Sequence, residues 1–156
     1  MHDKLTIERI KKAHPLIREE LNGYYLECNN KLPKGVRLRF SHVYRTNEEQ
    51  DELFAKRPKV TNAKGGQSIH NYGLAFDIVI LFDKDGNGTF ETASWKLDRY
   101  FMIVVDYFKS KGYEWGGDWN KFQDRPHFQK SFGHTWRTLQ ALPTKLDDNG
   151  IEYPIL

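Results

Sequence analysis

The sequence predicts an α+β fold, in which a central antiparallel sheet is flanked by helices within one small domain. Two segments, Pro15–Asn29 and Trp95–Lys111, carry apolar residues at helical spacing and predict helices that pack on the domain. Val36–Phe40 alternates between apolar and basic residues, which is typical of a strand with one buried face. Leu74–Leu81 is apolar almost throughout, as expected for a strand buried on both faces. Helices interspersed with such strands indicate the α+β class.

The first half of the chain is predicted to add two further helices. Thr6 can cap a short helix over Ile7–Ala13, and Pro15 begins the next helix as a first-turn proline. Thr46 has the capping-box spacing that predicts a helix over Glu48–Ala55. Both helices are expected to flank the sheet.

The second half is predicted to alternate between loops, strands and helices. In order, the pattern predicts a loop at Lys56–Gln67, the buried strand Leu74–Leu81, a turn at Asp83–Gly88, a short strand at Thr89–Glu91, the helix Trp95–Lys111, strand pieces at Glu114–Trp119 and Pro126–Gln129, and a last helix at His134–Leu142. Pro143–Leu156 is predicted to be a surface tail. The chain contains no repeat, low-complexity segment or linker, so we expect one domain over residues 1–156.

Composition excludes several classes of protein. The net charge of +3 is too small and too scattered to indicate a nucleic-acid-binding protein. No apolar run approaches the roughly 18 residues that span a bilayer, so we expect no membrane insertion. Cys28 is the only cysteine, which excludes an internal disulfide and a cysteine-based metal site. The composition is that of a globular protein, and we expect it to be a monomer.

Ser68–Asp77 is the most informative stretch of the chain. Asp77 lies inside the apolar strand, where a lone ionised carboxylate costs several kcal/mol and needs a cation, a hydrogen-bond cluster or a metal. His70 precedes it by seven residues, and His127 follows later, three residues after Asp124. Two histidines, one aspartate and a spare carboxylate are the groups found in a catalytic zinc site with one open position.

The other four histidines lack a partner motif, and we expect them to be structural. They are His2, His14, His42 and His134. His42 is close in sequence to Arg45 and could line the cleft.

Four segments that occur in a fixed order resemble one family of enzymes. Ser68–Asp77 matches the pattern Ser-x-His-x-x-Gly-x-Ala-x-Asp, and it is preceded by Tyr44–Gln50 and followed by Trp115–Trp119 and Asp124–Gln129. Together they resemble the zinc D-Ala-D-Ala carboxypeptidase and L-alanyl-D-glutamate endopeptidase family, in its phage endolysin or autolysin branch. The resemblance covers about residues 6–130, and the C-terminal helix and tail, 131–156, carry no matched motif.

The resemblance implies a catalytic zinc ion (Zn2+) held by His70, Asp77 and His127. It also implies that Asp124 is the general base for the attacking water. Asp118 is a competing carboxylate for that role, with Glu114 as a weaker candidate, but the spacing between Asp124 and His127 matches the family.

Two further residues receive roles from the same resemblance, and two tryptophans are candidates on other grounds. Arg45 would supply positive charge to the tetrahedral oxyanion or to a substrate carboxylate. Ser68 would support a ligand or contact the substrate. Trp115 and Trp119 could be ordinary core residues, but indoles near an open cleft also suit packing against the peptide of the substrate.

Asp83–Glu91 is a candidate for a second ion, Ca2+. It satisfies the first six positions of an EF-hand loop, but Ser94 stands where the bidentate acid is required. Its Asp-Gly and Asn-Gly pairs are also strong turn signals, so a plain β-turn is the better-supported interpretation.

The family resemblance predicts hydrolysis of the L-Ala–D-Glu bond in the peptidoglycan stem, with peptidoglycan as the partner. The alternatives are cleavage at D-Ala–D-Ala and a non-catalytic, zinc-stabilised module that binds cell wall. A binding protein with satisfied core histidines leaves Asp77 without a partner and ranks last. The N-terminus lacks the apolar core of a signal peptide, so we expect the protein to stay cytoplasmic until it is released to the wall or exported by a non-Sec route.

Overall fold

The computed structural model describes residues 2–156. Its α-helices are α1 Lys4–Ile10, α2 Pro15–Asn30, α3 Asn47–Ala55, α4 Arg99–Ser110 and α5 Trp136–Ala141. Its strands are β1 Val36–His42, β2 Ala75–Phe82, β3 Thr92–Ser94, β4 Glu114–Trp115, β5 His127–Gln129, β6 Thr144–Leu146 and β7 Glu152–Pro154. Two 3-10 turns lie at Ile69–Tyr72 and Gly116–Asp118.

The central sheet is antiparallel, with strand order β1-β2-β5-β4 and β3 also paired to β2. Its register brings three polar residues together at one end of β2. Asp77 lies opposite His42 of β1 on one side and opposite His127 of β5 on the other. The predicted α+β class is therefore confirmed, and the sheet itself positions the residues of interest.

The core lies between this sheet and the helices α2 and α4. The Phe76 ring stacks between Phe40 and Phe128, with ring centroids 4.2 and 5.2 Å away. Phe108 of α4 packs edge-on against Phe76 at 4.9 Å. This aromatic stack buries the face of β2 that lies opposite the Asp77 side chain. It also holds the three strands of the site in register.

The first predicted helix is wrong in its position. The helix begins at Lys4 because Asp3 is its N-cap and accepts a hydrogen bond from the Thr6 main-chain nitrogen at 3.2 Å. The Thr6 hydroxyl instead accepts a hydrogen bond from the Phe40 main-chain nitrogen at 2.9 Å and ties α1 to β1. Thr6 therefore links two elements and does not begin a helix.

Other boundaries also differ from the prediction. The strand predicted at Glu114–Trp119 ends at Trp115, since a 3-10 turn follows at Gly116–Asp118. Helix α4 begins at Arg99, not at Trp95, because the Asp98 carboxylate accepts hydrogen bonds from the first main-chain nitrogens of the helix. The short strand predicted at Thr89–Glu91 is wrong, since the pairing with β2 occurs at Thr92–Ser94. The polar turn before it is longer than the pattern suggested.

The C-terminal segment is a β-hairpin, and the predicted surface tail is wrong. Strands β6 and β7 pair across a turn that contains Asn149 and Gly150, a hairpin signal that was available in the sequence. Tyr153 is buried and its hydroxyl donates to the Lys12 carbonyl at 2.5 Å. The ring of His14 contacts the Pro154 carbonyl at 2.7 Å, so the hairpin is anchored to the start of α2.

No helix within residues 2–156 is both long and apolar enough to cross a membrane.

Candidate metal centre

His70 lies on the 3-10 turn Ile69–Tyr72, which the sequence builds with its own caps. The Ser68 hydroxyl accepts a hydrogen bond from the His70 main-chain nitrogen at 3.2 Å. The Asn71 side chain accepts one from the Ser68 main-chain nitrogen at 3.1 Å and closes the capping box. Ser68 therefore holds the turn that presents His70. This position agrees with the supporting role considered for it.

Gly73 ends this turn with a φ of +72°. A Cβ atom here would lie 2.5 Å from the His14 main-chain nitrogen and 2.8 Å from the Tyr153 ring. Because only glycine adopts this φ freely and fits this space, the C-terminal hairpin and α2 can close around the His70 turn.

Gly73→Ala is expected to lower the free energy of unfolding by about 2–4 kcal/mol, because it adds a backbone clash to an unfavourable φ. For a chain of this size the corresponding fall in Tm is roughly 5–15 °C, measured by thermal denaturation. Gly86→Ala is the matched control, since Gly86 has a φ of +73° with no atom within 4 Å of its Cβ position. Equal Tm values for the two variants would show that the close packing at Gly73 contributes nothing.

Three ligand atoms converge at the end of β2. The His70 Nε2 and His127 Nδ1 atoms lie 3.1 and 3.2 Å from the same Asp77 carboxylate oxygen, Oδ1. One ligand atom from each of the three residues lies within 4.8 Å of the others, and both histidines are buried. The structure thus brings together the three residues that the sequence analysis assigned to one metal.

The outer nitrogens of both rings identify which tautomer each histidine adopts. The His70 Nδ1 lies 2.7 Å from the Val43 carbonyl, which only accepts, so this nitrogen carries the proton. The His127 Nε2 lies 2.8 Å from Gln129 Oε1 and donates to it in the same way. Lone pairs of both inner nitrogens therefore face the Asp77 carboxylate. These three hydrogen-bond acceptors repel one another unless a cation lies between them. The same three atoms are therefore suited to bind a metal ion.

Asp77 is ionised in this environment. Burial alone would raise its pKa, but charge and hydrogen bonds from the His70 and His127 rings hold the pKa well below its usual range when the inner ring nitrogens carry protons, the place that a metal ion would take. Its second oxygen, Oδ2, faces away from the two rings toward His42 Nδ1 at 3.8 Å and Arg45 Nη2 at 4.0 Å. One oxygen is thus available to a metal, and the other faces a second group of donors.

Arg45 is held in place from several directions. Its main-chain nitrogen donates to the His70 carbonyl at 3.1 Å, and its Nη1 donates to Gln50 Oε1 at 2.9 Å. Gln50 is buried and donates in turn to the Ala63 carbonyl at 2.8 Å. Burial lowers the pKa of Arg45, but a guanidinium remains charged at neutral pH. The structure therefore fixes a positive charge beside Asp77.

Asp124 lies next to the three ligand residues without joining them. Its main-chain nitrogen donates to the Gly116 carbonyl at 3.0 Å, and its carbonyl accepts from the His127 main-chain nitrogen at 3.1 Å. A Cβ at Gly116 would lie 2.2 Å from the Asp124 carbonyl oxygen, so glycine permits this approach. Burial and, next, the charge of Asp77 raise the pKa of the Asp124 carboxyl, although its side chain still reaches solvent. A carboxyl with these properties suits a base that exchanges protons.

The competing carboxylates have partners elsewhere. Asp118 forms an ion pair with Lys109 at 2.6 Å, and Glu114 accepts a hydrogen bond from Trp119 Nε1 at 2.6 Å. Asp124, by contrast, lies close enough to Asp77 and His127 for their charges to shift the pKa of its carboxyl. The geometry therefore favours Asp124 over both.

The two tryptophans have different positions. Trp115 is buried, and its Nε1 donates to the Arg125 carbonyl at 2.7 Å, so it supports the loop that carries Asp124. The Trp119 ring lies 5.3 Å from the His127 ring and is partly exposed. Of the two indoles, Trp119 is the one that lies beside the candidate ligand residues. Contact between Trp115 and the substrate stays a prediction, which the burial of Trp115 does not support.

Sequence reasoning missed Gln129 and gave only a weak indication for His42. Gln129 lies two residues after His127 on the same face of β5, and strand periodicity could have indicated their contact. His42 had no partner motif, but its closeness to Arg45 in the sequence indicated that it could line the cleft, and it lies at the edge of the site. Its position depends on an irregular pairing between β1 and β2, for which the sequence gives no signal.

The acidic loop at Asp83–Glu91 uses several of its side-chain oxygens for its own turn, whereas Asp83 Oδ1 is buried without a hydrogen bond. Asp83 accepts from the Gly88 main-chain nitrogen at 2.9 Å, and Asp85 accepts from the Asn87 main-chain nitrogen at 3.1 Å. Across residues 2–156 the search for metal-ligand groups finds His70, Asp77 and His127 and no group in this loop. The plain turn is therefore the better interpretation.

Comparisons with known proteins agree with this site. A family model described as D-alanyl-D-alanine carboxypeptidase, of peptidase family M15, matches residues 61–130, the segment that contains His70, Asp77, Asp124 and His127. The peptidoglycan L-alanyl-D-glutamate endopeptidase CwlK of Bacillus subtilis is 36% identical over 126 residues, covering 74% of this chain and 72% of that protein. The chain belongs to peptidase family M15. It is therefore a metallopeptidase, and the predicted family and enzyme class are confirmed.

Two further proteins show a similar likeness to this chain. The L-alanyl-D-glutamate peptidase of Listeria phage A118 is 31% identical over 98 residues, which are 63% of this chain and 32% of the phage protein. The crystal structure of Serratia marcescens L-Ala D-Glu endopeptidase ChiX superposes with a TM-score of 0.55 at 25% identity, covering 81% of this chain and 86% of that one. The fold of this chain is thus similar to that of ChiX.

Proposed function

We propose that this protein is a zinc-dependent peptidoglycan endopeptidase that hydrolyses the L-Ala–D-Glu amide bond of the stem peptide. The observation that carries the proposal is the convergence of two imidazole lone pairs and the Asp77 carboxylate, with Asp124 beside them. The choice of bond is supported by the relatives, whose names state L-alanyl-D-glutamate peptidase activity.

Zinc fits the donor set because it takes imidazole nitrogens and a carboxylate oxygen in catalytic sites with three protein ligands. The proposed ligand atoms are His70 Nε2, Asp77 Oδ1 and His127 Nδ1. When bound, such an ion supplies a Lewis acid and a water of lowered pKa. The hydrogen bonds to Val43 and Gln129 orient both rings for this purpose.

The chain's own residues carry the proton and the developing charge. The Asp124 carboxylate accepts the proton of the attacking water and then delivers it to the leaving amine nitrogen of D-Glu. The Arg45 guanidinium, fixed by Gln50 and 4.0 Å from Asp77, stabilises negative charge on the reacting carbonyl or on the substrate. Trp119 forms an apolar wall beside His127.

One alternative has a specific observation in its favour. The family model carries the description D-alanyl-D-alanine carboxypeptidase, so cleavage at the end of the stem is the second candidate. A non-catalytic wall-binding module is a third, but it gives no role to Asp124, whose backbone is packed against Gly116 beside the ligands.

A pair of soluble muropeptides tests the proposal. One offers only an L-Ala–D-Glu bond, and the other also ends in D-Ala–D-Ala. We expect the protein to cleave both at L-Ala–D-Glu, to lose this activity on treatment with a chelator and to regain it on addition of zinc, as measured by chromatography of the products. Release of D-Ala with the L-Ala–D-Glu bond intact would contradict the proposal.

A further inference from the structure

His42 has a place in this site that the metal centre alone does not explain. We propose that His42 binds substrate: together with Arg45 it holds the α-carboxylate of the D-glutamyl residue, and it makes the enzyme prefer D-Glu stems to stems amidated at that position. This inference rests on the proposed function, because it concerns the residue on the amine side of the cleaved bond.

The pairing of β1 with β2 places His42 at the site. From Val36 to Phe40, β1 pairs regularly with β2, and this register would place Ser41 opposite Asp77. The register shifts between Phe40 and His42, so that His42 is the residue opposite Asp77. An extra residue of this kind bends the strand and redirects its side chains, and such bulges recur next to active sites.

The side chain of His42 is open to solvent, unlike those of the ligand histidines. It is 56% exposed, compared with 4% for His70 and 7% for His127. Its Nδ1 lies 3.8 Å from Asp77 Oδ2, beyond hydrogen-bond distance. Neither ring nitrogen of His42 makes a hydrogen bond to the described part of the chain. Its ring nitrogens are therefore free to bind a molecule that enters from solvent.

Arg45 approaches the same carboxylate oxygen from another direction. Its Nη1 is engaged by Gln50, but its Nη2 lies 4.0 Å from Asp77 Oδ2. Arg9 adds positive charge nearby, where its Nη1 donates to the Phe40 carbonyl at 2.8 Å. The wall of the site next to Oδ2 is thus lined by N–H donors and positive charge, which is the environment that an anion requires.

The chemistry of the substrate supplies that anion at the right place. In the stem peptide the chain continues through the γ-carboxyl of D-Glu, so its α-carboxylate is free and lies one carbon from the nitrogen of the cleaved bond. Standard bond lengths put it roughly 4 Å from the reacting carbonyl carbon. An anion so close to Asp77 needs donors on its other side, and an imidazole N–H donates whether or not the ring is charged.

Two peptides that differ only in D-Glu or D-isoglutamine test the proposal, since the second has an amide in place of the α-carboxylate. The wild-type protein is compared with His42→Ala and with His42→Gln, which keeps a donor, and His2→Ala serves as the exposed-histidine control. For His42→Ala we expect about a tenfold rise in KM on the D-Glu peptide, little change in kcat or zinc content, and no effect on the D-isoglutamine peptide. His42→Gln should recover part of the loss.

Each remaining outcome overturns the proposal. Equal losses on both peptides, or loss of zinc, would make His42 a structural neighbour of Asp77. An unchanged KM for His42→Ala in a protein that cleaves the D-Glu peptide would refute the role of His42 and leave the proposed function intact. No cleavage of either peptide by the wild-type protein would refute the proposed function, and this inference with it.

Discussion

Asp77→Asn is expected to weaken zinc binding by more than about 100-fold, because it removes the one negative charge that the two imidazole lone pairs face. The apo variant should remain folded, since the new amide N–H can donate to His70 Nε2 or His127 Nδ1 and relieves the repulsion between acceptors. Wild-type protein should therefore gain stability from zinc in a thermal-shift experiment, and the variant should gain none.

The size of this effect can be estimated from linkage. At a zinc concentration about 100 times Kd, binding adds about 2.7 kcal/mol to the free energy of unfolding, which raises Tm by roughly 5–10 °C in a domain of this size. Asp118→Asn is the matched control, because Asp118 pairs with Lys109 away from the ligands. An equal zinc-dependent rise in Tm for Asp77→Asn would show that Asp77 is not a ligand.

Asp124→Asn is expected to retain zinc and to lower kcat by about 100- to 10,000-fold, the range typical of a lost general base. The substitution keeps the shape of the side chain and the main-chain hydrogen bonds to Gly116 and His127, so positioning should survive. Steady-state kinetics with zinc quantified in the same samples measures both properties. Normal turnover would show that the base is another group, and Asp118 would be tested next.

The pH dependence of the wild-type enzyme gives an independent check on Asp124. Burial and the nearby Asp77 raise its pKa, and only its carboxylate form can accept a proton. Activity should therefore fall as the pH drops through the pKa of Asp124, which is higher than that of an ordinary aspartate. The residual activity of Asp124→Asn should not show this fall on the acidic side of its pH profile.

Much of the site could be predicted from local sequence because buried charge is rarely left unpaired. Asp77 interrupts an apolar strand, and this alone required partners that His70 and His127 supply in the structure. The caps of α3 and the buried strand were likewise local signals, and both are present. These features could be predicted because each is encoded within a short stretch of the chain.

The parts that could not be predicted depend on contacts between distant segments. His42 reaches the site through a register shift between two strands, and Trp115 is held by the Arg125 carbonyl while Trp119 lies beside His127. Neither feature has a local signature. The C-terminal hairpin did have one in Asn149 and Gly150, but its burial against α2 is a tertiary effect.

Digestion of purified peptidoglycan by the zinc-loaded protein and by Asp124→Asn tests the central claim most directly, with zinc quantified in both and the fragments identified by mass spectrometry. We predict new free amino groups on D-Glu with the wild-type protein and almost none with the variant, at equal zinc content. Release of terminal D-Ala without those amino groups, or bound zinc with no cleavage at all, would contradict the assignment of an L-alanyl-D-glutamate endopeptidase.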